Sequence, residues 1–190
     1  MTRTPDAYFE QMYAGDADPW GYETRWYERR KYALTAAALP REHYERAFEP
    51  GCSIGALTEL LAPRCTTLVA LELMPQVAAR ARSRPTLGIE HVAVEVGRIP
   101  EDWPAGTFDL VVLSEVLYYL DEPGVAEVLA RLDACLAPAG HVIAVHWRGE
   151  TDYPLSGDRV HELLDLHPGL HRLARYREDA FVLATYERSA

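Results

Sequence analysis

Short apolar runs alternate with helical stretches along most of the chain. The run at 108–113, Phe-Asp-Leu-Val-Val-Leu, is almost continuously apolar, which is typical of a strand buried on both faces of a parallel sheet. Similar runs predict strands that end at Glu49, end at Glu72, and span 89–94 and 141–147. Helical stretches fall between these strands at 55–62, 74–82 and 121–136. Strands that alternate with helices indicate βα units and a mostly parallel sheet.

The two ends of the chain depart from this alternation. After a helix over 158–166, strands over 170–176 and 180–187 are separated by only a short turn, so they must run antiparallel. Before the first strand, helical stretches at 8–13 and 22–39 are split by the Asp-, Pro- and Gly-rich segment 15–21. We therefore expect one α/β domain over 1–190, with an N-terminal helical cap (1–40) and a Rossmann-like core (41–190). Its seven-stranded sheet would be mostly parallel with an antiparallel last strand, and would carry helices on both faces.

Composition narrows the function classes. A length of 190 residues with 48% hydrophobic residues suits one domain, and a net charge of −10 disfavours nucleic acid, which needs a basic surface. No apolar run is long enough to span a bilayer, and the first residues lack the apolar core of a signal peptide. The three cysteines are scattered and not spaced as metal ligands, so they indicate buried thiols in a reducing compartment. We expect a cytoplasmic protein, monomeric or weakly dimeric, with no membrane, nucleic-acid or metal partner.

The candidate chemistry centres on the turn after the first strand, Glu49-Pro50-Gly51-Cys52-Ser53-Ile54-Gly55. Gly51 and Gly55 permit positive φ and allow a ligand to lie against bare backbone. Glu72 ends the second strand roughly 20 residues later, where an acid can reach ribose hydroxyls. Together these features predict a βαβ nucleotide-binding unit, although the G-x-G-x-x-G dinucleotide pattern is absent. The alternative is an ordinary βα turn with two glycines.

Four segments in register resemble class I S-adenosylmethionine (SAM) methyltransferases. Glu49-x-Gly51-x-Ser53-x-Gly55 is similar to their motif I, with Ser53 at the middle glycine, and Glu72 matches their ribose-binding acid. The segments 108–117 and 136–143 resemble the family's patterns at the fourth and fifth strands. More narrowly, 18–21, 26–32 and 114–120 resemble the nodulation N-methyltransferases (NodS-like), which methylate the free amine of a deacetylated chito-oligosaccharide.

The resemblance implies SAM as cofactor, S-adenosylhomocysteine as product, and a set of binding residues. Glu49 would accept from the methionine ammonium, Trp20 would cover the ligand, and Arg30 would pair with its carboxylate. The acid that many members use for adenine is missing after the third strand, so backbone near Arg98 and Ile99 would hold the base; Arg98 is alternatively a solvated surface charge. The implied cofactor-binding residues are Trp20, Arg30, Glu49, Gly51, Cys52, Ser53, Gly55, Glu72, Leu73, Arg98, Ile99, Ser114 and Glu115.

Four residues at the ends of the fourth and fifth strands are candidates for catalysis: Glu115, Tyr118, Tyr119 and His146. Glu115 would hold an ammonium or accept its proton; alternatively it contacts the cofactor or begins a helix. Tyr119 would shape the acceptor pocket or simply pack. His146 would serve as a base or contact the acceptor, or be a structural histidine.

The predicted function is methyl transfer from SAM to a small-molecule acceptor, foremost an amine of an amino sugar or related metabolite. Two alternatives remain open. One is an O-methyltransferase of a secondary metabolite, and the other is a SAM-binding module without catalysis. The aromatic N-terminal cap, which would close over a small substrate, favours an enzyme.

Overall fold

A computed structural model describes residues 3–88 and 90–189 of the chain. Its helices are α1 (Asp6–Gly15), α2 (Trp26–Ala37), α3 (Ala56–Leu61), α4 (Pro75–Arg82), α5 (Glu122–Cys135) and α6 (Gly157–Leu166). Its strands are β1 (Tyr44–Pro50), β2 (Cys65–Glu72), β3 (Val92–Val96), β4 (Phe108–Ser114), β5 (Leu136–Trp147), β6 (Leu170–Arg177) and β7 (Phe181–Arg188). No helix within the described ranges is long and apolar enough to cross a membrane.

The seven strands form one sheet in the order β3-β2-β1-β4-β5-β7-β6. The first five strands are parallel, β7 runs antiparallel to β5, and β6 runs antiparallel to β7. This arrangement confirms the predicted Rossmann-like fold. The strand order reverses between β1 and β4, and the carboxyl ends of the parallel strands meet there at one edge, where open α/β sheets bind ligands.

The central strand β4 shows why the sheet is buried on both sides. Successive side chains of a strand point to opposite faces. Leu110 and Val112 accordingly join the apolar cluster beneath α2 and α3, whereas Val111 and Leu113 join the cluster beneath α5 and α6. A continuous apolar run therefore suits this position, as its sequence predicted.

The helices of the second cluster follow the same logic. In α5 the buried side chains Val125, Val128, Leu129 and Leu132 recur every three to four residues and so share one face. Asp121 caps this helix by accepting from the Gly124 N–H, and Ser156 accepts from the Arg159 N–H at the start of α6.

The largest departures from the predicted boundaries are at the starts of three elements. Helix α2 begins at Trp26 rather than at Tyr22 because the Asp18 carboxylate accepts from the Tyr22 and Glu23 N–H groups and fixes a turn there. Strand β3 begins at Val92; Ile89, which was expected to begin it, lies outside the described residues. Strand β5 begins at Leu136 rather than at His141. Its register with β4 shifts between Phe108 and Leu110.

Candidate active site

A cavity of about 980 Å³, measured to its open mouth, lies between the carboxyl ends of the parallel strands and the N-terminal helices. Most of the residues predicted from the sequence line it: Trp20, Glu49, Gly51, Cys52, Ser53, Glu72, Leu73, Arg98, Ile99, Ser114, Glu115 and Tyr119.

The turn between β1 and α3 forms the floor of the cavity. Gly51 has φ 74° and Ser53 has φ 50°, so the backbone folds back on itself in the left-handed region. The Gly51 and Cys52 N–H groups both donate to the Leu71 carbonyl, at 2.8 and 2.9 Å, which ties the turn to β2. Gly55 (φ 82°) lies behind the cavity, where a Cβ would approach Leu87 to 2.7 Å; it shapes the start of α3.

Glu49 presents an unpaired carboxyl oxygen at the end of β1. The residue is only 2% exposed, and Oε2 has no hydrogen-bond partner among the described residues. Burial raises the pKa of Glu49 to about 7, because a charged carboxylate is poorly solvated there. The Thr58 hydroxyl lies near enough to oppose this rise but does not form a hydrogen bond of good geometry with Glu49. A buried, unpaired carboxyl at a cavity wall is a suitable partner for a ligand cation.

Glu72 is also buried, but both of its oxygens are oriented by backbone. Oε2 accepts from the Ser53 N–H at 3.0 Å and Oε1 from the Met74 N–H at 2.8 Å. Burial raises the pKa of Glu72 to about 7, against the opposing effect of these donors. Each oxygen keeps a lone pair that can receive a ligand hydroxyl.

The roof of the cavity comes from α1 and the segment before α2. The Tyr13 hydroxyl bonds the Ser53 hydroxyl at 2.6 Å, so the roof is fastened to the floor. Trp20 stacks on Tyr22 with ring centroids 5.7 Å apart. Arg98 forms an ion pair with Asp6 of α1 and is therefore not a freely solvated surface charge.

Glu115 stands at the end of β4 in the left-handed region, with φ 54°. Its Oε2 accepts from the Tyr118 hydroxyl at 2.5 Å and from the Trp147 N–H at 2.9 Å. Its Oε1 accepts from the Lys31 ammonium at 2.6 Å. The carboxylate is thus held in one orientation at the cavity wall.

Besides Gly55, three predicted site residues lie away from the cavity. Arg30 pairs with Glu178 at 2.9 Å, on the turn between β6 and β7, because α2 directs it toward that hairpin. Tyr118 is buried and reaches the site only through Glu115. His146 is fully buried behind the site, where its Nε2 accepts from the Leu117 N–H and its Nδ1 lies 3.3 Å from His161 Nε2.

The two histidines are not placed or poised as bases for a ligand. Burial, and then the charge of Lys31, lower the pKa of His146 to about 3. Burial, and then His146, lower the pKa of His161 to about 2. Both rings are therefore neutral near pH 7, in the interior.

Sequence reasoning missed Lys31 and Glu28 of α2, and it left the cap tyrosines unassigned. Tyr13, Tyr22 and Tyr32 all line the cavity. The high aromatic content of the N-terminal segment was the available signal for them. For Lys31 the signal was its rarity, since it is the one lysine in the sequence.

Known proteins share both the sequence and the fold of this chain. The family model of nodulation protein S (NodS) matches residues 9–150. Nodulation protein S of Bradyrhizobium diazoefficiens is 37% identical over 123 residues, which cover 64% of this chain and 58% of that protein. Three such curated relatives are matched over only 53–59% of their own lengths.

Two solved structures extend the likeness over more of the chain. A Pseudomonas syringae protein is 43% identical with a TM-score of 0.76, covering 86% of this chain and all of that chain. The N-methyltransferase NodS of Bradyrhizobium japonicum WM9, solved in complex with S-adenosylhomocysteine, is 26% identical with a TM-score of 0.85 and covers 97% of this chain and 98% of that chain. Because the family model spans most of the sequence, this chain belongs to the NodS family.

Proposed function

We propose that this protein is a SAM-dependent methyltransferase that acts on the amine of a small molecule. The observation that carries the proposal is the unpaired carboxyl of Glu49 beside the glycine turn, in the same cavity as the oriented carboxyl of Glu72. A cofactor with an ammonium at one end and a ribose in the middle fits this pair. The S-adenosylhomocysteine bound by the Bradyrhizobium japonicum relative agrees with it.

Different residues around the cavity would bind different parts of the cofactor. Glu49 and the backbone of 51–53 would hold the methionine portion, and Glu72 the ribose hydroxyls. The segment 97–99, which lines the cavity beyond β2, would border the adenine. Tyr13 and Trp20 would cover the bound molecule from the roof.

When bound, SAM supplies an electrophilic methyl group on a sulfonium. The residues of the chain then have to align the acceptor and exclude water, and such alignment can supply on the order of 7–11 kcal/mol. Glu115 would bind an N–H of the acceptor, since its Oε1 accepts one hydrogen bond within the protein and retains capacity for another. An acceptor that arrives as an ammonium would first lose one proton to solvent, which frees its lone pair. The C–N bond would form as the bond between the sulfonium sulfur and the methyl carbon breaks, so that S-adenosylhomocysteine leaves as a neutral thioether and the methylated nitrogen carries the positive charge.

The lining of the cavity favours an amine over a hydroxyl acceptor. A hydroxyl acceptor needs a base to take its proton, which contributes roughly 10²–10⁴-fold. No histidine stands among the described residues that line the cavity, and His146 lies in the interior. Of the carboxylates in the lining, Glu115 already accepts from Lys31, Tyr118 and Trp147, and Glu49 and Glu72 would be engaged by the cofactor. The relatives named N-methyltransferase NodS support an amine as the acceptor. The choice of an amino sugar rests on the sequence resemblance to the nodulation N-methyltransferases.

Calorimetric titration with S-adenosylhomocysteine tests the cofactor site. We expect micromolar binding by the wild type and at least about tenfold weaker binding by Glu49→Gln, because a charge-assisted hydrogen bond contributes about 1.5–3 kcal/mol. Glu45→Gln is the matched control, since Glu45 is exposed on the same strand. Absence of binding by the wild type would overturn the proposal.

Transfer of a radiolabelled methyl group from SAM tests the acceptor class. The panel is D-glucosamine, a deacetylated chito-oligosaccharide and catechol. Labelling of an amino sugar is expected. Labelling of catechol alone would indicate the O-methyltransferase, and cofactor binding with no transfer to any amine or hydroxyl would indicate the non-catalytic module.

A further inference from the structure

A single lysine stands among the 19 basic residues of the chain, and the other 18 are arginines. This residue is Lys31, in the middle of α2, and it is only 2% exposed. Burial of an ammonium is strongly unfavourable unless carboxylates compensate it. The one lysine of the chain therefore occupies a buried position, where a charged side chain is costly to desolvate.

Two carboxylates from different elements compensate Lys31. Its Nζ donates to Glu115 Oε1 at 2.6 Å, at the end of β4. It also lies 2.8 Å from Glu28 Oε2, one turn earlier in α2, as an ion pair whose angles are poor for a hydrogen bond. The Tyr27 ring adds a cation–π contact, with its centroid 4.9 Å from Nζ.

The chemistry of this group favours lysine over arginine. The planar guanidinium of arginine suits one carboxylate approached through two parallel hydrogen bonds. Lys31 instead serves two carboxylates and a ring from three directions, which suits a compact ammonium. Burial alone would lower the pKa of Lys31, but the carboxylates of Glu115 and Glu28 outweigh it and raise the pKa above 10.5.

With both carboxylates ionised, the charges of the group sum to −1, and Glu28 decides this total. Burial raises the pKa of Glu28, and the ammonium of Lys31 opposes that rise. The ammonium of Lys31 cancels one of the two carboxylates. Without Glu28, the pair of Lys31 and Glu115 would be neutral and would not attract a cation. Of the two carboxylates, Glu115 is the one that lines the cavity, so the excess charge is available where an acceptor would bind.

We propose that Lys31 and Glu28 are positioning residues for the amine acceptor, an inference that rests on the proposed function. Lys31 fixes the orientation of Glu115, whose strained backbone conformation gives it few alternatives. Glu28 offsets the charge of Lys31, so that Glu115 attracts an ammonium rather than forming a neutral pair. The acceptor class this selects is a cationic amine.

Nuclear magnetic resonance of protein labelled with ¹³C,¹⁵N-lysine tests the arrangement directly. One lysine side-chain signal is expected, since Lys31 is the one lysine in the sequence. It should show a slowly exchanging ammonium that stays charged at pH 10, and Glu115→Gln should shift it. A rapidly exchanging signal that titrates like free lysine would overturn the proposal. Because this measurement needs no methyl transfer, it is independent of the calorimetric test above.

Kinetics with D-glucosamine separate positioning from general structural support. Glu28→Gln should raise KM for the amine by about tenfold, and leave kcat and the affinity for S-adenosylhomocysteine within about twofold. Glu178→Gln is the control, because it removes the other ion pair between α2 and the core, Arg30 with Glu178, far from the cavity. Equal kinetics in the two variants, or weakened cofactor binding in Glu28→Gln, would overturn the proposal.

The variant Lys31→Met would leave two uncompensated carboxylates and is prone to unfolding. The double variant Glu28→Gln/Lys31→Met keeps one negative charge on Glu115 but removes the ammonium that donates to Oε1. We expect it to bind S-adenosylhomocysteine normally and to lose at least about tenfold in kcat/KM for D-glucosamine. Wild-type kcat/KM in this folded double variant would show that Lys31 positions nothing.

Discussion

At the scale of single residues, burial shifts the pKa values of acids and bases in opposite directions for the same reason. Desolvation disfavours charge of either sign, so it raises the pKa values of Glu49 and Glu72 to about 7 and lowers that of His146 to about 3. The two carboxyls face a cavity in which a ligand can restore the lost solvation. His146 faces only protein, and so it stays neutral.

The raised pKa of Glu49 predicts pH-dependent cofactor binding. An ammonium ligand favours the ionised carboxylate, so binding below pH 7 requires Glu49 to release a proton. Affinity for S-adenosylhomocysteine should therefore rise by up to about tenfold from pH 6 to pH 8. Calorimetry in two buffers of different ionisation enthalpy would measure the released proton, and Glu49→Gln should reduce both effects. Affinity that is equal at pH 6 and pH 8 would contradict this account.

At the scale of elements, α1 differs from the rest of the fold. None of its side chains is fully buried, and Phe9 and Tyr13 pack only partly against the core. Hydrogen bonds of two tyrosines supplement this partial apolar packing. The Tyr13 hydroxyl bonds Ser53 at the cavity, and the Tyr8 hydroxyl bonds the Tyr153 hydroxyl at 2.9 Å outside the cavity lining. These two bonds make a matched pair for experiment.

Removal of the Tyr13 hydroxyl should affect the ligand more than it affects the fold. We expect Tyr13→Phe to weaken S-adenosylhomocysteine binding about fivefold, since one hydrogen bond contributes roughly 1 kcal/mol. Tyr8→Phe should leave the affinity unchanged. Both variants should lower the free energy of unfolding by no more than about 1.5 kcal/mol, measured by urea denaturation. Equal affinities in the two variants would argue against a role of the roof in binding.

At the scale of the whole molecule, buried acids and histidines oppose each other in the dependence of stability on pH. Glu49 and Glu72 bind protons more readily in the folded state, so they favour folding as pH falls from about 7 to 4.5. His146 and His161 bind protons more readily when unfolded, so their contribution is lost as pH falls below 6.5. The two pairs largely cancel between pH 6.5 and 4.5, and below pH 4.5 the histidines act alone.

Removal of one buried acid should reveal the opposite effects of acids and histidines on the pH dependence of stability. The contribution of these four groups predicts little change in the free energy of unfolding from pH 6.5 to 4.5 and a fall below pH 4.5. Glu49→Gln should lose stability relative to the wild type already between pH 6.5 and pH 4.5, at up to about 1.4 kcal/mol per pH unit. Urea denaturation at pH 7, 6, 5 and 4 would measure this difference. Parallel curves for the two proteins would refute it.

The sequence by itself determined the order of the strands and helices and the residues of the glycine turn. Continuous apolar runs between helical stretches are typical of strands buried in a parallel sheet, and glycines followed by a helix favour a tight turn. Those local requirements placed Glu49, Glu72 and Glu115 at strand ends, and so at the cavity. They fixed the type of each element more firmly than its ends, since side chains such as that of Asp18 moved a boundary by hydrogen bonding to backbone.

The tertiary structure alone decided which polar side chains meet. Lys31 and Glu115 are 84 residues apart in the chain, and no local pattern links them. Arg30 and Lys31 are neighbours in α2, yet the direction of the helix sends one to the β6–β7 hairpin and the other to the cavity wall. His146 follows the pattern of a strand-end base, but packing closed it off from the cavity. Contacts of this kind depend on how elements pack in three dimensions, and the apolar periodicity of the sequence does not predict them.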